Sequence, residues 1–382
     1  MALLSKAQMT RGKLSLTLVP ECGACGLHKS GCKSPKMRPT GNGRRKVLLV
    51  GEAPGQTEDE VGRQFVGESG QVLRAACRKA GVNMDEDCVL TYAAICYPGT
   101  NKVPEKVVGY CRANLLQTIK KHAPEVIVLV GKAPLQSLIG HVWKEDPGGV
   151  DRWAGQRIPC VDPNAWVVST YSTYDVMKDK SGVTGMFLDR HVKEAFALKG
   201  RPWKTVPNLE RQVEVEFDPD KAAKVVRDMA RAGKPVAFDY ETNMLKPDSP
   251  RARIACVAFS DGDRTISALW KKSVADATLE LVAGRCPLVG WNMKFESRWT
   301  KRILGRWPRN WVYDGMQAAH VADFRSGLTG LKYQSFVLFG QDDYAAGVKP
   351  YLSTPMRKDD DGGNAENRVF ELVRQDARSL LL

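Results

Sequence analysis

The sequence predicts two α/β domains in series, and three observations carry that expectation. The chain has 382 residues and 43% apolar content, enough to bury two ordinary cores. Residues 46–200 alternate short β-branched runs with helix-like segments, the pattern of an α/β layer on a largely parallel sheet. A second α/β pattern begins after "LKGRPWKTVPNLERQVEVEFDPDK" (198–221), which mixes Pro, charge and one weak strand. The boundary falls near residue 205, giving domains 1–204 and 205–382.

In the first domain "KVLLVGEAPG", "DCVLTYAAICYP", "EVIVLVGKAP" and "NAWVVSTYS" read as strands that end in loops. "SGQVLRAACRKAGV" and "VVGYCRANLLQTIKKHAP" are the helices between them. A parallel sheet gathers functional groups at the carboxyl ends of its strands, so "GEAPG", "CYPGTN" and "TYSTYD" are expected to converge on one cleft. In the second domain "KPVAFDYET", "RIACVAFSDG" and "RTISALW" are consecutive strands, followed by helix, a strand "PLVGWN" and further helices.

No apolar run reaches membrane-spanning length, and Lys6, Arg11 and Lys13 break the opening stretch, unlike a signal peptide. The expectation is a cytoplasmic protein with no membrane partner. Ten cysteines in a reducing compartment are then thiols or metal ligands rather than a disulfide framework. Three of them, Cys22, Cys25 and Cys32, fall in "PECGACGLHKSGC" (20–32). The net charge is +14, and residues 1–50 hold ten Lys or Arg against one acid, Glu21. That arm reads as a surface facing nucleic acid, with a solvated basic tail as the plainer alternative.

"VLLVGEAPG" lacks the Lys-Ser/Thr of a phosphate loop, which argues against an NTPase. The run "GEAPGQTEDEVGRQFVGESGQVL" (51–73), with Cys22-x-x-Cys25 before it and Cys96 and Cys111 after it, resembles the iron-sulfur uracil-DNA glycosylases, family 4. The resemblance covers roughly the first 200 residues and implies a three-layer α/β domain that recognises or excises uracil. It further implies that Cys22, Cys25, Cys96 and Cys111 hold a structural 4Fe-4S cluster, that Phe65 stacks on the extruded base and that Glu52 positions water against the sugar carbon. From the residues alone these thiols define only a soft-metal site, with zinc and iron both open, and Cys32 reads as a free loop thiol. Two positions depart from the family. Thr91-Tyr92 stands where it carries Asn, and Ser172-Thr173 replaces its His-Pro. Tyr92 and Ser172 are left to bond a base, and loss of the two usual contacts weakens discrimination of uracil.

In "AFDYETN" Asp239 and Glu241 lie two apart on a strand, so both point to one face and can hold divalent metal. "GWNMKFESRW" (290–299) and "VYDGMQAAHVADFRSGLTGLKYQSFVLFG" (312–340) resemble the 3′-5′ exonuclease domain of family A DNA polymerases, a DEDD-type, ribonuclease H-like fold with a mixed sheet. The resemblance implies that Asp239, Glu241, Glu296 and Asp376 are catalytic carboxylates for Mg2+ or Mn2+, with Glu296 where the family usually has Asp. The family's water-orienting Tyr or His is replaced by Leu372 or Glu371, so a slow nuclease is expected, since such help is worth ~10²–10⁴-fold.

The whole sequence therefore reads as a DNA replication or repair protein. Its expected partners are single-stranded 3′ ends, uracil-containing or altered DNA, and a polymerase domain or other replication proteins. Such an arrangement resembles phage replication proteins, with this chain as the N-terminal part of a polymerase or a stand-alone repair protein. The competing expectation is a catalytically silent glycosylase-like module that binds DNA or senses a base.

Overall fold

The structure, a computed structural model, describes residues 19–100, 102–143, 146–203, 212–341, 347–352 and 364–381. The first eighteen residues of the basic arm and the boundary expected near residue 205 lie outside the described residues. The chain divides into two compact units, Met1–Thr205 with Lys332–Asp343 and Val206–Leu331 with Tyr344–Leu382.

The first unit is built on a five-stranded sheet. Its strands are β1 (Val47–Gly51), β2 (Cys88–Tyr92), β3 (Val126–Val130), β4 (Arg157–Cys160) and β5 (Ala165–Thr170), in the order β2-β1-β3-β5-β4. All neighbours are parallel except β4, which runs antiparallel to β5 at the edge. The unbroken β-branched runs follow from burial on both faces, as β1, β2 and β3 are buried at every position. Val47, Leu49, Leu90 and Val128 pack with Leu73, Leu188 and Val192 from helices Glu68–Lys79 and Val183–Phe196. Leu48, Val50, Ile127 and Leu129 alternate to the other side, where helices Glu105–His122 and Lys132–Val142 complete the third layer.

The second unit holds a six-stranded mixed sheet. Its strands are β6 (Val213–Glu216), β7 (Val236–Thr242), β8 (Ile254–Ser260), β9 (Thr265–Leu269), β10 (Leu288–Gly290) and β11 (Trp311–Asp314), in the order β11-β10-β7-β8-β9-β6. β8 is antiparallel to β7 and β9, while β10 and β11 run parallel to β7, the ribonuclease H-like arrangement that the sequence suggested. Helix Pro219–Ala232 begins where its sequence says it should: Asp218 accepts from the N–H groups of Asp220 and Lys221, Pro219 fills the first turn and Gly233 ends it in the left-handed region. Val236, Phe238, Tyr240 and Thr242 of β7 are buried, which turns Asp239 and Glu241 to the opposite face. On that face Cys256, the β8 partner of Glu241, packs with Val369 and Leu372 of helix Val369–Leu381.

Helix Leu331–Phe339 contributes Tyr333 and Phe336, each 1% exposed, to the first unit. Their rings lie 5.0 Å from Trp153 and 4.9 Å from Trp143, centroid to centroid. The Arg152 guanidinium sits 4.7 Å from the Tyr333 ring, and the Tyr333 hydroxyl donates to the Arg152 carbonyl at 2.6 Å. Among the described residues no helix is long and apolar enough to cross a membrane.

Phe336→Ala is expected to lower the stability of the first unit by about 3 kcal/mol, the usual loss for emptying a buried aromatic site. Chemical unfolding followed by tryptophan fluorescence checks this. An unshifted midpoint would show that the helix does not belong to that core.

Candidate functional site

Four cysteines from three segments meet in the first unit. Cys22 and Cys25 sit on the short helix Cys22–Cys25, which Glu21 ties down by donating its N–H to the Tyr110 carbonyl at 3.1 Å. Cys111 follows Tyr110 on helix Glu105–His122, and Cys96 lies in the loop after β2. All four line one cavity of about 20 Å³, with Ala94 and Val107 on its wall. The Lys36 N–H donates to Cys96 Sγ at 3.2 Å, and Asn114 Nδ2 donates to Cys111 Sγ at 3.4 Å. Burial pushes the Cys96 thiol up to about 11 and raises Cys111 as well, and neighbouring cysteines add to both shifts. A metal at this place must therefore displace protons, as thiolate binding requires. Cys32 lies near Cys96 and Cys25 without lining the cavity, and its thiol donates to the carbonyls of Leu27 and Tyr97, each at 3.2 Å. Four sulfurs facing one cavity, with N–H groups donating to two of them, fit a thiolate-held iron-sulfur group.

Of the three loops expected to converge, those after β1 and β5 meet beside the loop after β3, while "CYPGTN" after β2 begins at Cys96 in the cysteine cavity. Glu52 follows β1, and its Oε1 accepts from the N–H groups of Lys132 at 3.0 Å and Ala133 at 3.2 Å. Those groups open helix Lys132–Val142, whose N-terminus favours a negative charge. The approach requires glycine at 131: its φ is +99°, and a Cβ there would lie 2.7 Å from the Glu52 carboxyl carbon. Burial raises the Glu52 carboxyl above its ordinary range, the two N–H bonds and Lys132 oppose that, and Asp175 adds to it. Ser172 closes the cleft at β5, where its hydroxyl donates to Asp175 Oδ2 at 2.7 Å and accepts from the Asp175 N–H at 3.1 Å.

Phe65 is 6% exposed and holds a left-handed φ of 53°, which a bulky residue adopts only when its surroundings impose it. The restraints are visible: its N–H donates to the Tyr92 hydroxyl at 2.8 Å, and Arg74 Nε donates to its carbonyl at 2.8 Å. The Phe65 and Tyr92 rings lie 4.7 Å apart, and both press on Gly51, where a Cβ would come within 2.8 Å of either. Tyr92 is thus part of the aromatic wall with its hydroxyl engaged, and the Ser172 hydroxyl is engaged in a helix cap.

In the second unit the carboxyl groups of Asp239 and Glu296 lie close enough to shift one another. Helix Met293–Leu304 brings Glu296 there and is pinned to β7 by the Tyr240 hydroxyl against Thr300 Oγ1 at 3.0 Å. Both carboxyls are held above their ordinary range, Glu296 by burial and by the negative charges of Asp239 and Asp314. Glu296 is 2% exposed and its Oε2 has no hydrogen-bond partner. An orphaned buried oxygen beside a second carboxylate is the oxygen-donor chemistry that a divalent cation takes, and Glu241 lies on the same strand face. Asp376 lies on helix Val369–Leu381, at a break in its helical geometry (φ −155°, ψ 77°), with its carboxylate turned to Ser379, whose N–H donates at 3.2 Å. Among the described residues no three His, Cys, Asp or Glu side chains converge closely enough for a single metal ion. Leu372 is buried, and Glu371 accepts from Gln375 Nε2 at 3.2 Å. On the helix that carries Glu296 a cavity of about 90 Å³ is lined by Asn292, Lys294, Phe295 and Arg298, and also by Leu245.

The sequence reading missed three residues that the fold places at these sites. Asp175 had a visible signal, the Ser-x-x-Asp spacing of a helix start. Lys132 and Asp314 had none, because their roles depend on backbone N–H groups that only the tertiary fold presents.

Comparison with known proteins bears on the first part of the chain. Residues 39–197 match the uracil DNA glycosylase superfamily, so the N-terminal part carries a domain of that kind. Similar proteins include the type-4 uracil-DNA glycosylase of Pyrobaculum aerophilum, 37% identical over 32% of this chain and 61% of its own, and that of Thermotoga maritima, 33% identical over 32% and 62%. The chain thus spans about three fifths of the length of these curated relatives. Among solved structures, Escherichia coli RNase D, an exoribonuclease involved in structured RNA processing, aligns at 14% identity over 44% of either chain, with a TM-score of 0.29.

Two outcomes follow from this geometry. Anaerobically purified Cys25→Ser and Cys111→Ser are each expected to lose bound iron and the visible absorption of the wild type, and full iron content in both would remove the site. A carboxyl raised in the folded state stabilises below its ordinary pKa and is lost as pH climbs through the raised value. The metal-free protein should therefore melt at falling temperature as pH rises above the ordinary carboxylate range, and Glu296→Gln should flatten that slope in scanning fluorimetry.

Proposed function

We propose that this is a cytoplasmic DNA-processing protein with two sites, a metal-dependent 3′-5′ exonuclease and a glycosylase-like pocket that recognises, and in the leading reading excises, uracil or another altered base. The observation that carries the nuclease is the Asp239–Glu296 carboxyl pair with an unpartnered buried oxygen, on the face shared with Glu241. A divalent cation bound there would polarise the phosphodiester and lower the pKa of an attacking water. The chain's own contribution is to bring Asp239 and Glu296 together, with Glu241 on the same strand face. Leu245 and Phe295 offer apolar walls for a terminal base, and Lys294 and Arg298 offer charge to its phosphates. Asp376 would join them once its carboxylate leaves Ser379, and with no Tyr or His at 372 or 371 turnover is slow.

In the first unit Glu52 would hold water, or the charge that develops at the sugar, from a carboxylate fixed by two N–H groups. Phe65 would stack on the extruded base, with Tyr92 behind it. Cys22, Cys25, Cys96 and Cys111 would hold a 4Fe-4S cluster that ties the N-terminal arm to helix Glu105–His122 without taking part in chemistry. A linked polymerase domain, as in phage replication proteins, is the partner that such a nuclease suits.

One observation favours a second reading. Tyr92 and Ser172, the residues at the base-reading positions, both spend their hydroxyls inside the protein. A pocket so occupied suits a base-sensing or DNA-binding module without excision.

With 3′-labelled single-stranded DNA and Mg2+, stepwise shortening is expected that Asp239→Ala abolishes. Equal degradation by that variant would exclude this metal site. A uracil oligonucleotide treated with Asp239→Ala protein and then alkali separates the two readings. Scission that vanishes on adding Glu52→Ala supports excision, and retained DNA binding without scission supports the sensor.

A further inference from the structure

Asp314 closes β11, and its two oxygens accept four backbone N–H groups. Oδ1 accepts from Asn292 at 3.0 Å, Met316 at 2.9 Å and Gln317 at 3.4 Å, and Oδ2 accepts from Met293 at 3.0 Å. Capping of helix Gly315–Ala322 explains only the bonds to Met316 and Gln317. The other two reach a turn far back in the chain, at the start of the helix that carries Glu296. That turn is costly to hold. Asn292 has a left-handed φ of 64°, and Trp291 packs so closely on Gly315 that any Cβ there would collide with its ring. Trp291 is fixed at its far edge by donating Nε1–H to the Thr329 carbonyl at 3.0 Å. A helix cap alone would need none of this.

We propose that Asp314 is a positioning residue for the nuclease: it clamps residues 291–293 so that helix Met293–Leu304 presents Glu296 to Asp239 at the cation site. The inference rests on the metal-site reading above. A partner one step removed from the ligands typically changes metal affinity by ~10–100-fold, because it fixes their orientation before the ion arrives.

The test is Mn2+ binding to the full chain, read by the electron paramagnetic resonance of free Mn2+, in wild type, Asp239→Ala, Asp314→Ser and Asp314→Asn. Serine keeps the cap of helix Gly315–Ala322 but is too short to reach residues 292 and 293 as well. Asp314→Ser is expected to weaken the Asp239-dependent binding by roughly 10–100-fold while its circular dichroism and melting temperature stay near wild type. Asp314→Asn, which can keep the three bonds to Oδ1 and lose that from Met293, should fall between. Binding by Asp314→Ser within about twofold of wild type, well short of the loss a misplaced ligand causes, overturns the positioning role and leaves the metal site standing. Wild type with no Asp239-dependent binding overturns both. Should the serine variant not fold, unchanged binding in Asp314→Asn overturns the role by itself.

Discussion

A carboxylate gripped by backbone N–H groups is the contact on which both units depend. Glu58 accepts from Gly55 at 3.1 Å and Gly67 at 2.8 Å, closing the glycine loop that carries Phe65. Its neighbour Asp59 accepts from Lys33 and Ser34, each at 2.9 Å, and so anchors the N-terminal arm next to Cys32. Glu52 and Asp314 repeat the device at the two candidate sites. Backbone donors cost no side-chain entropy to place and are already oriented by the turn or helix that bears them, so each acid is fixed in one geometry.

Bonds to backbone carbonyls link the cysteine cavity to Glu52. Arg112, next to Cys111, donates to the carbonyls of Ser137 at 2.9 Å and Gln136 at 3.3 Å on helix Lys132–Val142, the helix whose first N–H groups hold Glu52. On the other side the Ala94 N–H, two residues before Cys96, donates to the Glu52 carbonyl at 3.0 Å. The cysteine-bearing segments thus reach the surroundings of Glu52 from two directions, so a group bound by those cysteines would steady the Glu52 loop without touching substrate.

Much of this was legible in the sequence, for physical reasons. Strands β1, β3 and β7 were plain because burial writes itself into β-branched runs, or into strict alternation where one face stays polar. β4 was missed because Pro159 reads as a breaker, and only an edge position tolerates it. β11 was missed because it is only partly buried along its length and shows no alternation. Helix Leu331–Phe339 is apolar nearly all round, so nothing local says which core receives it. The cysteine set came from likeness to a family, since spacing alone left the metal open. Asp376 was found by position, yet its orientation toward Ser379 depends on a break in helix geometry that residue types do not encode.

The return of residues 332–343 to the first unit also bears on ancestry. Genes are commonly reshuffled by single cuts in linkers, which moves a domain intact. Here one cut near residue 205 would strip Trp143 and Trp153 of the rings that cover them, so the two halves cannot be traded separately without a compensating change.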